Sequence, residues 1–187
     1  MVDMTIPPKE YHIVKNFINR QDCDEIKNHI LNNLSHHDLP NFKYFETTLD
    51  KRKSLEKIYY DYNGKLQEIA DIAVKWFEEN FNISGLTYDR THGSIMYKDA
   101  ELPYHTDEKN NEHPEYGPGD AYVCILFITD DYQGGELKLK DCDLIIKPEA
   151  GDAIFFPGWK IHHGVEKVID GVRINLITHF FGPRYAI

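Results

Sequence analysis

Cysteine is scarce. The 187 residues hold three, Cys23, Cys124 and Cys142, an odd number with no C-x-x-C pair. That argues against a disulfide framework or a thiolate zinc site and fits small thiols in a reducing compartment. Positive charge is also short: 21 Lys and Arg stand against 31 Asp and Glu, a formal net charge of −10. The basic footprint of a general nucleic-acid binder is missing, so no nucleic-acid partner is expected. No apolar run reaches the length of a membrane span, and the opening M-V-D-M-T-I-P-P-K-E has no apolar signal-peptide segment. A soluble cytoplasmic chain without membrane contact is the expectation. Repeats and linker-like stretches are lacking too.

What is present is 41% apolar and 13% aromatic residues, enough for one globular domain over 1–187. Asn19 or Asp22 can cap a helix over 21–34, with Cys23, Ile26, Ile30 and Leu34 on one face. A second helix is expected over 65–80, with Leu66, Ile69, Ile72, Ala73, Trp76 and Phe77 as its apolar stripe. Between them, residues 35–62 mix histidines, a basic run and many aromatics without a period, which suits either a lid or buried connections. From Leu86 the pattern changes to short strands at 86–90, 93–97, 121–129, 137–140, 144–147, 153–156, 163–168 and 172–181, with a polar loop at 108–120. The expected fold is mainly β with N-terminal helices, an α+β chain. Helical support over 1–85 would buttress a double-stranded β-helix, or jelly-roll, core over 86–187.

Side chains two apart on a strand share a face, so His105 and Asp107 can present an imidazole and a carboxylate to one point. One further histidine would complete a 2-His-1-carboxylate triad, the set that leaves open positions on a non-haem Fe(II). H-x-D alone is weak: about one is expected by chance among ten histidines, and His36-His37-Asp38 matches as well. The later copy follows a strand and precedes the long apolar run 121–129, which favours it. Of the adjacent His162 and His163 only one can face inward, and strand parity alone leaves the choice open.

Several elements follow one another in order: Tyr97, His105-Thr106-Asp107, Gly134-Gly135-Glu136-Leu137, Ala150 to Phe156, then His163-x-Val165-x-x-Val168-x-x-Gly171-x-Arg173. In this order and spacing the chain resembles the Fe(II)- and 2-oxoglutarate-dependent dioxygenases, with the prolyl 4-hydroxylase-like branch the most similar, from about Ser94 to Phe181. The resemblance implies His105, Asp107 and His163 as Fe(II) ligands, His163 being the histidine ten residues before the basic residue. It implies Arg173 as the anchor of the distal carboxylate of 2-oxoglutarate, and Tyr97 as a phenol donor to that carboxylate. The chain departs from the branch in having Lys98-Asp99-Ala100-Glu101 without the usual glycine, and His179 where tryptophan is more common.

The implied activity is hydroxylation with O2, releasing succinate and CO2, with ascorbate as a candidate reductant. A residue in a peptide or protein, proline among the candidates, is the leading substrate. A free amino acid or other small molecule is the alternative. A jelly roll that binds metal or sugar without catalysis is the reading from another class, and it gives no reason for Arg173 at its spacing from His163.

Overall fold

The computed structural model describes residues 10–32, 55–59, 64–107 and 120–182. The lead-in before residue 10, the His36-His37-Asp38 tripeptide, most of the aromatic stretch 35–62 and nearly all of the loop 108–120 lie outside the described residues.

Helix α1 spans Arg20–Asn32 and helix α2 spans Lys65–Phe81. Asn19 caps α1: its Oδ1 accepts from the Asp22 backbone N–H at 2.9 Å. Cys23, Ile26 and Ile30 form the buried face at helical spacing. α2 starts after Gly64 and stops at Asn82, both in the left-handed conformation. Leu66, Ile69, Ala73 and Phe77 are buried as expected. Ile72 is not part of the stripe: it is 55% exposed, because its place in the 3.6-residue period points it outward.

The strands are β1 (His12–Val14), β2 (Leu55–Tyr59), β3 (Thr87–Met96), β4 (Leu102–His105), β5 (Asp120–Phe127) and β6 (Gln133–Gly134). After these come β7 (Leu137–Leu139), β8 (Leu144–Ile146), β9 (Ala153–Pro157), β10 (His163–Val165), β11 (Val168–Asp170) and β12 (Arg173–Gly182). A six-stranded sheet has the order β1-β9-β5-β12-β3-β2, and a four-stranded sheet β4-β10-β7-β8 faces it. β11 and β6 form a small ribbon. Every pairing is antiparallel. The architecture is a jelly roll with two helices on one side.

Three details differ from the strand pattern. β3 is one strand and not two, since Gly93 pairs with Leu176 on one side and Ile58 on the other, and this pairing carries the strand through the glycine. The stretch 163–168 divides into β10 and the start of β11. β2, within the stretch read as either a lid or buried connections, forms one edge of the large sheet, and β1, where a short strand over 11–17 is expected from the sequence, forms the other.

The large sheet separates two apolar clusters. On its outer face the helices bury Ile26, Ile30, Leu66, Phe77 and Phe81 against Tyr122, Cys124, Phe155, Ile174 and Phe180. On its inner face Met96, Val123, Ile125, Phe127, Ile154 and Phe156 meet Leu137, Leu139 and Val165 of the smaller sheet. Alternation along a strand makes this division: Phe155 packs on Trp76 and Phe77, whereas its neighbour Phe156 lies edge-on to His163.

Candidate active site

His105 ends β4 and His163 begins β10, and the two residues are direct partners in the pairing of these strands. Asp107 follows just beyond β4, held by its N–H donating to the Gly158 carbonyl at 2.9 Å. One ligand atom from each of His105, Asp107 and His163 lies within 4.8 Å of the others. Both imidazoles are oriented the same way. His105 Nδ1 is 3.0 Å from the Pro103 carbonyl oxygen and His163 Nδ1 is 3.0 Å from that of Ile161. A carbonyl only accepts, so each Nδ1 carries the hydrogen and each Nε2 keeps its lone pair for a metal.

The Asp107 carboxylate is half enclosed, and its Oδ2 is buried without a hydrogen-bond partner. Its Oδ1 lies 3.6 Å from His105 Nε2 and 3.8 Å from His179 Nε2, and Oδ2 lies 3.3 Å from His163 Nε2. Burial would raise its pKa, but His179, His163 and His105 outweigh this and hold it well below the usual carboxylate range. Burial lowers the pKa of His163 and so keeps the imidazole neutral. Two Nε2 atoms beside an ionised carboxylate with an orphaned oxygen make a donor set that fits Fe(II).

His162 does not share this site. It is exposed, and its N–H and ring both contact Asp141 Oδ2, at 2.6 and 2.9 Å. The choice that strand parity leaves open is thus settled by burial, with His163 inside. His179, a departure from the branch pattern, stands beside Asp107 from β12. Its parity with Arg173 on the same strand was the available signal.

Arg173 begins β12 and is 1% exposed. Its Nε donates to the Gly135 carbonyl at 2.9 Å, and its Nη1 points at Met96 Sδ at 3.6 Å. With the Asn175 amide oxygen turned toward the guanidinium, that oxygen accepts from Nη1 at 2.6 Å and Nη2 at 2.9 Å. The guanidinium lies 5.5 Å from the centre of the Phe127 ring. Burial pushes its pKa below the ordinary arginine value, yet a guanidinium still keeps its proton in a protein. The charge opens onto the same interlayer space as His163, and among the described residues it has no carboxylate partner.

Tyr97 is not with them. Met96 is paired with Arg173 and shares its face, so the next residue turns away, and Tyr97 packs against the helix-side cluster. The missing glycine has a local explanation. Asp99 takes φ +70 in its place, and this turn is fastened by Asp99 N–H to Val168 O at 2.8 Å and Val168 N–H to Ala100 O at 2.9 Å.

Residues 92–181 match the 2OG-Fe(II) oxygenase superfamily. That stretch contains His105, Asp107, His163 and Arg173. A PKHD-type hydroxylase of Caulobacter vibrioides is 46% identical over 44 residues, which cover 21% of this chain and 19% of that relative. Solved structures share the fold. A viral collagen prolyl hydroxylase from Paramecium Bursaria Chlorella virus-1, solved with 2OG, gives a TM-score of 0.70 at 15% identity, covering 94% of this chain and 97% of that one. A Trichoplax adhaerens prolyl hydroxylase in complex with a hypoxia inducible factor peptide fragment gives 0.73 at 13% identity, covering 92% and 83%. A Pseudomonas putida prolyl-4-hydroxylase gives 0.64 at 13% identity, covering 94% of each chain. Fe(II), 2-oxoglutarate and O2 are the cofactor and cosubstrates of the superfamily, and the His-Asp-His donor set and the buried guanidinium suit the first two.

Proposed function

We propose that the chain is an Fe(II)- and 2-oxoglutarate-dependent dioxygenase that hydroxylates a residue in a peptide or protein, proline being the leading candidate, with residues 1–187 acting as one oxygenase domain. The observation that carries this reading is the pairing of a His105-Asp107-His163 donor set with a buried arginine that has no carboxylate partner among the described residues, both facing the space between the two sheets. A buried unpaired charge is costly and calls for an anionic ligand. A dicarboxylate that reaches from the metal to Arg173 meets that demand. The peptide bound to the Trichoplax prolyl hydroxylase supports a peptide or protein as substrate. Free cysteines at 23, 124 and 142 fit a reducing compartment.

In this reading His105 Nε2, His163 Nε2 and an Asp107 oxygen hold Fe(II), and the backbone carbonyls of Pro103 and Ile161 keep the two rings aimed. Arg173 anchors the distal carboxylate, for which a guanidinium offers a matching fork. Bound metal and cosubstrate supply the oxidation: one atom of O2 enters succinate as 2-oxoglutarate loses CO2, and the other becomes the hydroxyl on the substrate carbon. Phe127, Ile125 and Phe156 form a dry wall that keeps bulk water from the reacting centre.

The test is 2-oxoglutarate turnover by the purified protein with Fe(II), ascorbate as reductant and O2, followed by a screen of proline-rich peptides against free amino acids. His163→Ala should abolish turnover and His162→Ala should leave it near native. The reverse result would move the ligand assignment to His162. Stimulation by free amino acids alone would assign the small-molecule substrate class.

A further inference from the structure

Three imidazoles approach the Asp107 carboxylate, and they do not stand in the same relation to it. His105 and His163 are held at Nδ1 by backbone carbonyls, which leaves each Nε2 bare toward the metal position. His179 comes from β12, with its Nε2 3.8 Å from Asp107 Oδ1. The donor atoms that lie within 4.8 Å of one another belong to His105, Asp107 and His163, and His179 is outside that set. It reaches the carboxylate without joining the three ligands. A carboxylate only accepts, so a bond from His179 to Asp107 needs the hydrogen on the nitrogen that faces it.

The strand aims this side chain. Thr178 and Phe180 are both buried and fastened: Thr178 Oγ1 lies 2.6 Å from Thr91 Oγ1, and the Phe180 ring packs 5.9 Å from that of Phe77. Alternation turns His179 to the other face, the face of Arg173. On the β5 side it is directly opposite Val123, and a Cβ on Gly158 would strike both Val123 Cγ2 and Asp107 Oδ2. On the β3 side the register shifts between Thr178 and Phe180, so that residues 89 and 90 together stand opposite His179. Bulges of this kind are common beside active sites, where they re-aim a side chain.

The two oxygens of Asp107 therefore differ in their surroundings. Oδ2 is walled by Gly158 and Val123, lies 3.3 Å from His163 Nε2 and has no hydrogen-bond partner. Oδ1 faces His179. Burial would raise the Asp107 pKa, and the His179 hydrogen bond heads the effects that lower it.

We infer that His179 is a positioning residue: it donates to Asp107 Oδ1 and so reserves Oδ2 as the single oxygen offered to the metal. This rests on the His105-Asp107-His163 set of the dioxygenase reading. A carboxylate bound through one oxygen leaves free the position that its second oxygen would take, and a facial triad needs its open positions. At 3.8 Å the bond is long, and such bonds commonly tighten when the ligand is in place.

Mn(II) titration of the purified protein, beside a thermal melt of each variant without metal, tests this. His179→Phe keeps a ring and removes the donor, whereas His179→Gln removes the ring and keeps an N–H. His179→Phe should melt as the native protein does and bind Mn(II) about 10- to 100-fold more weakly. His179→Gln should recover most of the native affinity. A side chain that only packed would give the reverse order, with Phe tolerated and Gln not, and that order would overturn the inference. Native affinity in His179→Phe would overturn it as well. So would equal loss in both variants, which would make the imidazole itself a ligand. If the Phe variant does not fold, His179→Ala, which adds no bulk, takes its place under the same criteria. If the native protein binds no Mn(II), or His163→Ala binds it as tightly as native, the donor set itself fails and the inference with it.

Discussion

At the scale of single residues, Gly158 shows how tightly the candidate metal site is packed. It ends the run Phe155-Phe156-Pro157 and its carbonyl holds the Asp107 N–H. A Cβ on it would collide with Asp107 Oδ2, the orphaned oxygen, and lie 2.6 Å from Val123 Cγ2. Val123 sits in a central strand and cannot retreat far, so the carboxylate would have to move. Gly158→Ala should lower affinity for Fe(II), or for Mn(II) as a redox-inert probe, by about 10- to 100-fold, as displaced metal ligands and their supports commonly do. The overpacking cost should stay at about 1–3 kcal/mol, and the chain should still fold. Metal titration beside a thermal melt separates these effects, and native metal affinity in the variant would mean that Gly158 does not set the carboxylate position. Nothing in the sequence marks this glycine as different from the others, because its neighbour in space is 51 positions away in the chain. His105, Asp107 and His163 were legible, since the spacing and order of their motifs express the pairing of β4 with β10. Tyr97 was misjudged for a physical reason: one step along β3 from Met96 reverses the face, and that step cannot be counted until the register with β12 is known.

At the scale of elements, α1 is a brace as well as a cover. Its inner face packs on the large sheet through Cys23, Ile26 and Ile30, and its flank reaches the turn carrying Asp130, Asp131 and Tyr132 through Arg20 and Lys27. Helix periodicity revealed the inner face, whereas the ion pairs on its flank carry no local pattern. The Arg20 hydrogen bond, aided by the Ala150 N–H, holds the Asp130 pKa below its ordinary value despite partial burial. A carboxylate whose folded pKa is depressed adds stability that is fully present above its unfolded pKa, near 3.9. That stability is lost as pH falls through the lower folded value. Asp130→Asn should therefore cost a constant amount at neutral pH, about 0.2–1 kcal/mol for so exposed a pair. The gap from the native protein should close below about pH 4. Urea unfolding at pH 7 and pH 3 checks this: an undiminished gap at pH 3 would show that the loss comes from packing and not from the charge.

At the scale of the whole molecule, the large sheet divides two kinds of interior. The helix-side cluster is apolar throughout, and burial of its side chains stabilises the fold. The interlayer space holds Asp107, His163 and Arg173, groups that burial penalises and that the chain itself leaves partly unmatched. Such an interior should be stabilised by its ligands in two separable steps. Metal alone should raise the melting temperature through the His105-Asp107-His163 set. 2-Oxoglutarate added to the metal-loaded protein should raise it again, by about 2.7 kcal/mol of stability at a hundredfold excess over Kd. For a chain of this length that corresponds to a shift of about 5–10 °C. Arg173→Met should keep the first step and lose most of the second, because the metal ligands stand on other strands while the far carboxylate loses its charged partner. His163→Ala should lose both, since the cosubstrate's 2-oxo acid end binds through the metal. Differential scanning fluorimetry under nitrogen, with Mn(II) as the metal, reads each step without turnover. A full second step in Arg173→Met would place the cosubstrate anchor elsewhere. Loss of both steps in that variant would mean that the two halves of the site are not separable, contrary to their placement on β4, β10 and β12.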